Sequence, residues 1–133
     1  MKLLKIAISE VVNEGKKFVL DENNLISYDE FLLLKSTLFK DRGVVYFIFV
    51  EKELKYIGKS KGKNFKQRMR NHFITKNKKT ASKLDKIRKE INAGKKVNLS
   101  FLLTEKESFR SVIEDELILW FKDKYELWNQ QKG

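Results

Sequence analysis

From Gly43 to Val50 the chain reads Gly-Val-Val-Tyr-Phe-Ile-Phe-Val, β-branched and aromatic without a polar break, which predicts a strand covered on both faces. Glu51 to Glu53 makes a polar tip, and residues 54–58 return as an antiparallel partner. Side chains alternate between faces, so Tyr46 and Tyr56 share a face only if paired residue numbers sum to an even value. A three-residue tip at 51–53 pairs Val50 with Leu54 and Ile48 with Tyr56, meeting that condition, as would an equivalent bulge. A two-residue Lys52-Glu53 turn would separate the tyrosines. Residues 97–103 alternate as a third strand, with Leu99 and Phe101 on one face.

Helical spacing marks the rest. Leu4, Ala7, Ile8 and Val11 predict a helix over residues 2–14 stopped by Gly15, and Ser27-Tyr28-Asp29-Glu30 predicts a capping box opening a second helix to about Phe39. Ser60 to Asn64 reads as a loop containing Gly62, Phe65 to Phe73 as a short helix, and 74–80 as a lysine-rich loop. Ala81 to Ala93 is a helix with Leu84, Ile87 and Ile91 inward and Gly94 as its stop. Thr104 to Glu107 predicts another capping box, starting a helix to about Tyr125 whose surface carries Phe109, Val112, Ile113, Glu116, Leu117 and Trp120. Trp120, Phe121, Tyr125 and Trp128, at near-helical spacing, read as core. The fold class is α+β: a small mixed or antiparallel three-stranded sheet (43–50, 54–58, 97–103) flanked by helices, with an N-terminal helical extension.

Composition narrows the chemistry. No cysteine is present, which excludes disulfides and thiolate zinc sites, and the lone His72 excludes a multi-histidine site, so any catalytic metal must be a hard ion held by oxygens. No apolar run suits a membrane span or a signal peptide, and a cytoplasmic protein without membrane contact is expected. The net charge of +11 is concentrated: residues 52–96 hold 17 of the 29 Lys and Arg and only three acids, a local balance of +14, against −3 elsewhere. Such a segment attracts a polyanion, with binding that weakens steeply as salt rises.

Within and beyond this segment lies an ordered polar array. Gly43-Val44-Val45-Tyr46 is followed ten residues later by Tyr56-Ile57-Gly58, continuing into Lys59-Ser60. Arg68-Met69-Arg70-Asn71-His72 places an arginine and a histidine one helical turn apart. Then come Ile113-Glu114-Asp115-Glu116-Leu117 and Trp128-Asn129. In order and spacing this array resembles the GIY-YIG nuclease family, over residues 43–129, with Gly43-Val44-Val45-Tyr46 in place of Gly-Ile-Tyr and no proline before Trp128. The resemblance divides the chain into a helical extension, 1–42, expected to pack on the core, and a nuclease-like domain, 43–133.

The resemblance implies roles. Glu114 would hold Mg2+ (or Mn2+), with waters and phosphate oxygens completing the shell. Arg68 would clamp the phosphate through bidentate contact. Tyr46 is the expected base, Tyr56 a hydrogen-bond partner of substrate or water, and His72 a positioning or proton-transfer group. Gly58, Lys59, Lys61, Arg70 and Asn129 are the candidate substrate-binding positions, Gly58 because a bare backbone can approach a phosphate and Asn129 as a supporting hydrogen-bonder. Read without the resemblance, each tyrosine could simply pack the sheet, and Asn129 could cap a turn.

The leading expectation is therefore a metal-dependent DNA endonuclease that hydrolyses phosphodiester bonds by water attack at a single-metal site. A catalytically silent DNA-binding module and an accessory or inhibitory protein of the same fold are the alternatives. A double-strand break would need two active sites, by homodimerisation or by sequential nicking.

Overall fold

The computed structural model describes residues 2–74 and 81–130, with side chains described over 9–74 and 85–129. The continuous apolar run becomes β1, Gly43–Val50, buried at every position and central in an antiparallel sheet. Its neighbours are β2, Glu53–Lys61, and β3, Val97–Thr104, in the order β2-β1-β3. Even-numbered β1 side chains (Val44, Tyr46, Ile48, Val50) enter one core and odd-numbered ones (Val45, Phe47, Phe49) the other, which is why the run has no polar position.

The hairpin tip has two residues, Glu51 and Lys52, rather than three. Both have positive φ, 50° and 68°, the backbone that two-residue hairpins require because its twist matches the flanking strands. Val50 therefore pairs with Glu53 and Phe49 with Leu54. A bulge then leaves Lys55 unpaired, and Ile48 faces Tyr56 and Tyr46 faces Gly58. The bulge restores the even register, so the two tyrosines share a face with ring centroids 6.0 Å apart.

On the even face lie α2, Tyr28–Leu32, α3, Gly62–Phe73, and α4, Ala81–Asn92, represented in the core by Phe31, Phe65, Met69, Phe73 and Ile87. On the odd face lie α1, Lys2–Leu20, and α5, Phe109–Phe121, through Val12, Val19, Leu117 and Phe121. Phe65 is the hub of an aromatic cluster, with centroids 5.1 Å from Phe31, 5.2 Å from Phe39, 5.4 Å from Phe101 and 5.7 Å from Tyr46. Residues N-terminal to β1 thus back the ring of Tyr46. Ile26 also exchanges two backbone hydrogen bonds with Leu99 at the β3 edge.

Several boundaries differ from the sequence expectation. Helix α1 passes through Gly15, which is buried where a Cβ would meet Leu102 at 3.4 Å and Leu117 at 3.5 Å, ordinary contact distances; the glycine lies inside the helix against side chains of β3 and α5 instead of stopping it. Val12 is buried while Val11 is half exposed. The Ser27/Glu30 capping box forms as expected, but α2 ends at Leu32 and the remainder is a 3-10 turn, Ser36–Phe39. No loop separates β2 from α3: the strand runs to Lys61 and the helix starts at Gly62, whose N–H donates to the Arg42 carbonyl at 2.8 Å. Gly94, with φ +82°, ends α4 as expected, yet Ile91 is partly exposed. Thr104 stays in β3 and its hydroxyl donates to the Lys106 carbonyl at 2.6 Å, so it does not cap α5; that helix begins at Phe109 and ends at Phe121, with Phe109 and Val112 outward. The predicted loop falls largely on 75–80; that segment and the Leu84 side chain lie outside the described residues.

Two glycine substitutions should act in opposite directions. A Cβ on Gly62 would meet the Phe39 carbonyl oxygen at 1.7 Å and the Arg42 oxygen at 2.8 Å, so Gly62→Ala should cost about 1–3 kcal/mol by forcing backbone apart. Gly15→Ala has room and relieves a helix-interior glycine, so it should add about 0.5–1 kcal/mol. Urea unfolding followed by circular dichroism checks both; equal signs would contradict the packing described.

Candidate active site

Tyr46 reaches the centre of the site because β1 is central and because its cross-strand partner is glycine. A Cβ on Gly58 would lie 2.3 Å from Tyr46 Cζ and 2.4 Å from its hydroxyl oxygen. The phenol therefore lies across the strand where any other residue would put a side chain. Sequence reasoning left that space for a phosphate, whereas in the structure the Tyr46 ring fills it.

The Tyr46 hydroxyl is 2.9 Å from His72 Nε2, in a buried contact from β1 to α3. Arg68 and Tyr56 lie close enough to act on it electrostatically. The phenol's proton is available to His72 in the tautomer that accepts at Nε2. The rings of Tyr46, Tyr56 and His72 form a triangle with centroids 5.6–6.0 Å apart. Arg68 and His72, one turn apart on α3, both face this cluster; Arg68 comes from the exposed side of the helix, and His72 is buried.

Electrostatics follow from burial. Removal from water pushes the Tyr46 pKa well above the ordinary phenol value, the neighbouring Tyr56 pushes it further, and Arg68 pulls against both. Tyr56 is raised as well, first by burial and then by the negative charge of Glu114, with the Tyr46 hydrogen bond and Arg68 opposing. Both phenols are accordingly neutral at rest. Glu114, on α5, thus lies within electrostatic reach of Tyr56. Its side chain is only 13% exposed, and its Oε1 lies 3.7 Å from Lys59 Nζ. Asp115 and Glu116 are exposed.

The structure thus brings Tyr46, Tyr56, His72 and Arg68 together, with Glu114 beside Lys59 and within electrostatic reach of Tyr56. Asn129 supports the site from behind: its Oδ1 accepts from Ile57 N at 2.9 Å and its Nδ2 donates to Ile57 O at 2.6 Å, bracing the edge of β2 beside Tyr56 and Gly58. Arg70 is exposed and its charge acts on Tyr28, away from the phenol pair. Lys61 is exposed at the junction of β2 and α3. Sequence reasoning missed Ser111, whose hydroxyl accepts from Lys59 Nζ at 3.2 Å; nothing in the spacing of a serine on a helix singles it out.

The match to known families bears on this geometry. The model of the GIY-YIG catalytic domain matches residues 42–126. The chain belongs to the GIY-YIG family. Neither a curated protein nor a solved structure matches it. The GIY-YIG match covers β1 through α5 and stops just before Asn129. It makes this a nuclease fold, in a family that generally uses a divalent metal. Among the described residues no three His, Asp or Glu side chains gather into a metal cage. A single shielded carboxylate with water and phosphate oxygens around it suits Mg2+ or Mn2+, which tolerate few protein ligands, so the donor set fits such an ion. No helix among the described residues is long and apolar enough to cross a membrane.

A spectrophotometric titration tests the resting state of the phenols. Tyr46→Phe should remove the last tyrosine to ionise, one titrating above pH ~10, because burial holds it protonated. The sign follows: the unfolded chain loses this proton first, so stability conferred by the neutral phenol is complete below pH ~10 and declines above it. Loss of an early-ionising tyrosine in Tyr46→Phe would contradict the placement.

Proposed function

We propose that the protein is a Mg2+- or Mn2+-dependent DNA endonuclease that cuts one strand per active site by direct attack of water. In this reading residues 43–133 form the nuclease domain and 1–42 a helical extension that buttresses it. The observation that carries the reading is the clustering of His72, Arg68 and Tyr56 around the Tyr46 hydroxyl, with the shielded carboxylate of Glu114 near enough for its charge to act on Tyr56.

The chemistry can be assigned to this chain's own groups. A phenolate base is disfavoured by burial, so the phenol works as a relay: its oxygen takes a proton from water while its own proton passes to His72 Nε2, with the histidine in the tautomer that accepts there. No free phenolate is needed; the proton ends on His72 as an imidazolium beside the phenol oxygen. Tyr56, beside it, orients the water. Arg68, exposed at one edge and acting electrostatically on the phenol, offers its donors to the non-bridging phosphate oxygens. Glu114 is the residue that would hold the divalent ion, and when bound that ion neutralises charge developing on the phosphate. Lys59 and Lys61 of β2 and Arg70 of α3 belong to the +14 segment and offer contacts to the phosphate backbone on either side. Two sites, in a homodimer or by successive nicks, would produce a double-strand break.

Supercoiled plasmid tests this. Nicking with Mg2+ is expected, abolished by EDTA and by Glu114→Ala, and reduced by about 10²–10³ in Arg68→Ala. Salt-sensitive DNA binding with no nicking under any divalent ion would instead identify a silent binding module.

A further inference from the structure

Lys59 faces α5, on the side of β2 opposite Tyr56 and Gly58, and its amine has two neighbours there. It donates to Ser111 Oγ at 3.2 Å and lies 3.7 Å from Glu114 Oε1. The carboxylate is well shielded, 13% exposed, whereas the lysine is 43% exposed. A shielded carboxylate needs a nearby positive charge whether or not an ion is bound. Lys59 supplies such a charge and is loosely held: 3.7 Å is beyond hydrogen-bonding distance, and its amine donates to a neutral hydroxyl from a flexible stem open to solvent.

We propose that Lys59 is a tethered cation that balances Glu114 when no divalent ion is bound and is expelled from the carboxylate when one arrives. The inference rests on the reading of Glu114 as the metal ligand. A divalent ion on the same oxygen sits within a few ångströms of the ammonium, and repulsion between the two favours the exposed position for the lysine. Two consequences follow. Lys59 sets the ion concentration at which the site fills, and the filled site presents the freed ammonium at its solvent side, where a phosphate backbone would lie. The positive charge at the carboxylate is thus exchanged rather than simply added.

Titration of the full-length protein with Mn2+, without DNA, reads this directly through the electron paramagnetic resonance signal of the free ion. Lys59→Met should bind Mn2+ on the order of tenfold more tightly than the wild type, Lys59→Arg should stay near wild type, and Glu114→Gln should lose the site. Equal or weaker binding by Lys59→Met, with wild-type binding still dependent on Glu114, overturns the role of Lys59 and leaves the metal reading intact. Absence of Glu114-dependent binding in both the wild type and Lys59→Met overturns the two together.

Discussion

One fit governs the site: the Tyr46 phenol lying across Gly58. A tyrosine in the middle of a central strand would ordinarily bury its hydroxyl among apolar groups, at a cost of a few kcal/mol without a partner. Here the missing side chain opposite lets the ring lie toward β2, so that its hydroxyl meets His72, Arg68 and Tyr56. The remaining structure can be seen as support for that placement. The hairpin bulge at Lys55 sets the register, Asn129 holds the outer edge of β2 at Ile57, and Phe65 backs the ring from α3. Phe31 and Phe39, from before β1, pack on Phe65 in turn, which links the N-terminal residues to the site through the aromatic cluster.

The same burial shapes the chemistry. A phenol in bulk solvent could ionise and act alone, whereas one held in the core stays neutral, and in the proposed mechanism it passes its proton along as it accepts another. The Tyr46–His72 contact at 2.9 Å provides that route. Charge is kept to the rim, where Arg68, Glu114 and Lys59 meet solvent to different degrees. Charged donors at the edge suit a reaction on a polyanion, because the phosphate needs donors and cations.

Much of this was legible from spacing. The uninterrupted apolar run Gly43 to Val50 could only be a strand buried on both faces, and the parity condition on Tyr46 and Tyr56 anticipated a register device, although the molecule uses a positive-φ pair plus a bulge in place of a longer tip. The same parity, carried two residues further, puts Gly58 opposite Tyr46, so the phenol's seat was implicit in the sequence and went unread. Other features depend on tertiary packing that periodicity does not report. Gly15 looks like a helix stop until Leu102 and Leu117 are seen against it, and Thr104 looks like a cap until its hydroxyl is seen turned to Lys106. Pairwise contacts such as Lys59 with Ser111 and Glu114 join residues more than fifty positions apart and leave no local trace.

Mg2+-dependent plasmid nicking by Gly58→Ala tests the central claim most directly, since this substitution adds one methyl and removes no functional group. The methyl displaces the Tyr46 phenol from His72, and misplacement of about an ångström is expected to cost roughly 10²-fold in rate while circular dichroism still reports a folded chain. A folded Gly58→Ala protein that nicks at the wild-type rate would contradict the claim that the phenol's seat on Gly58 organises the site.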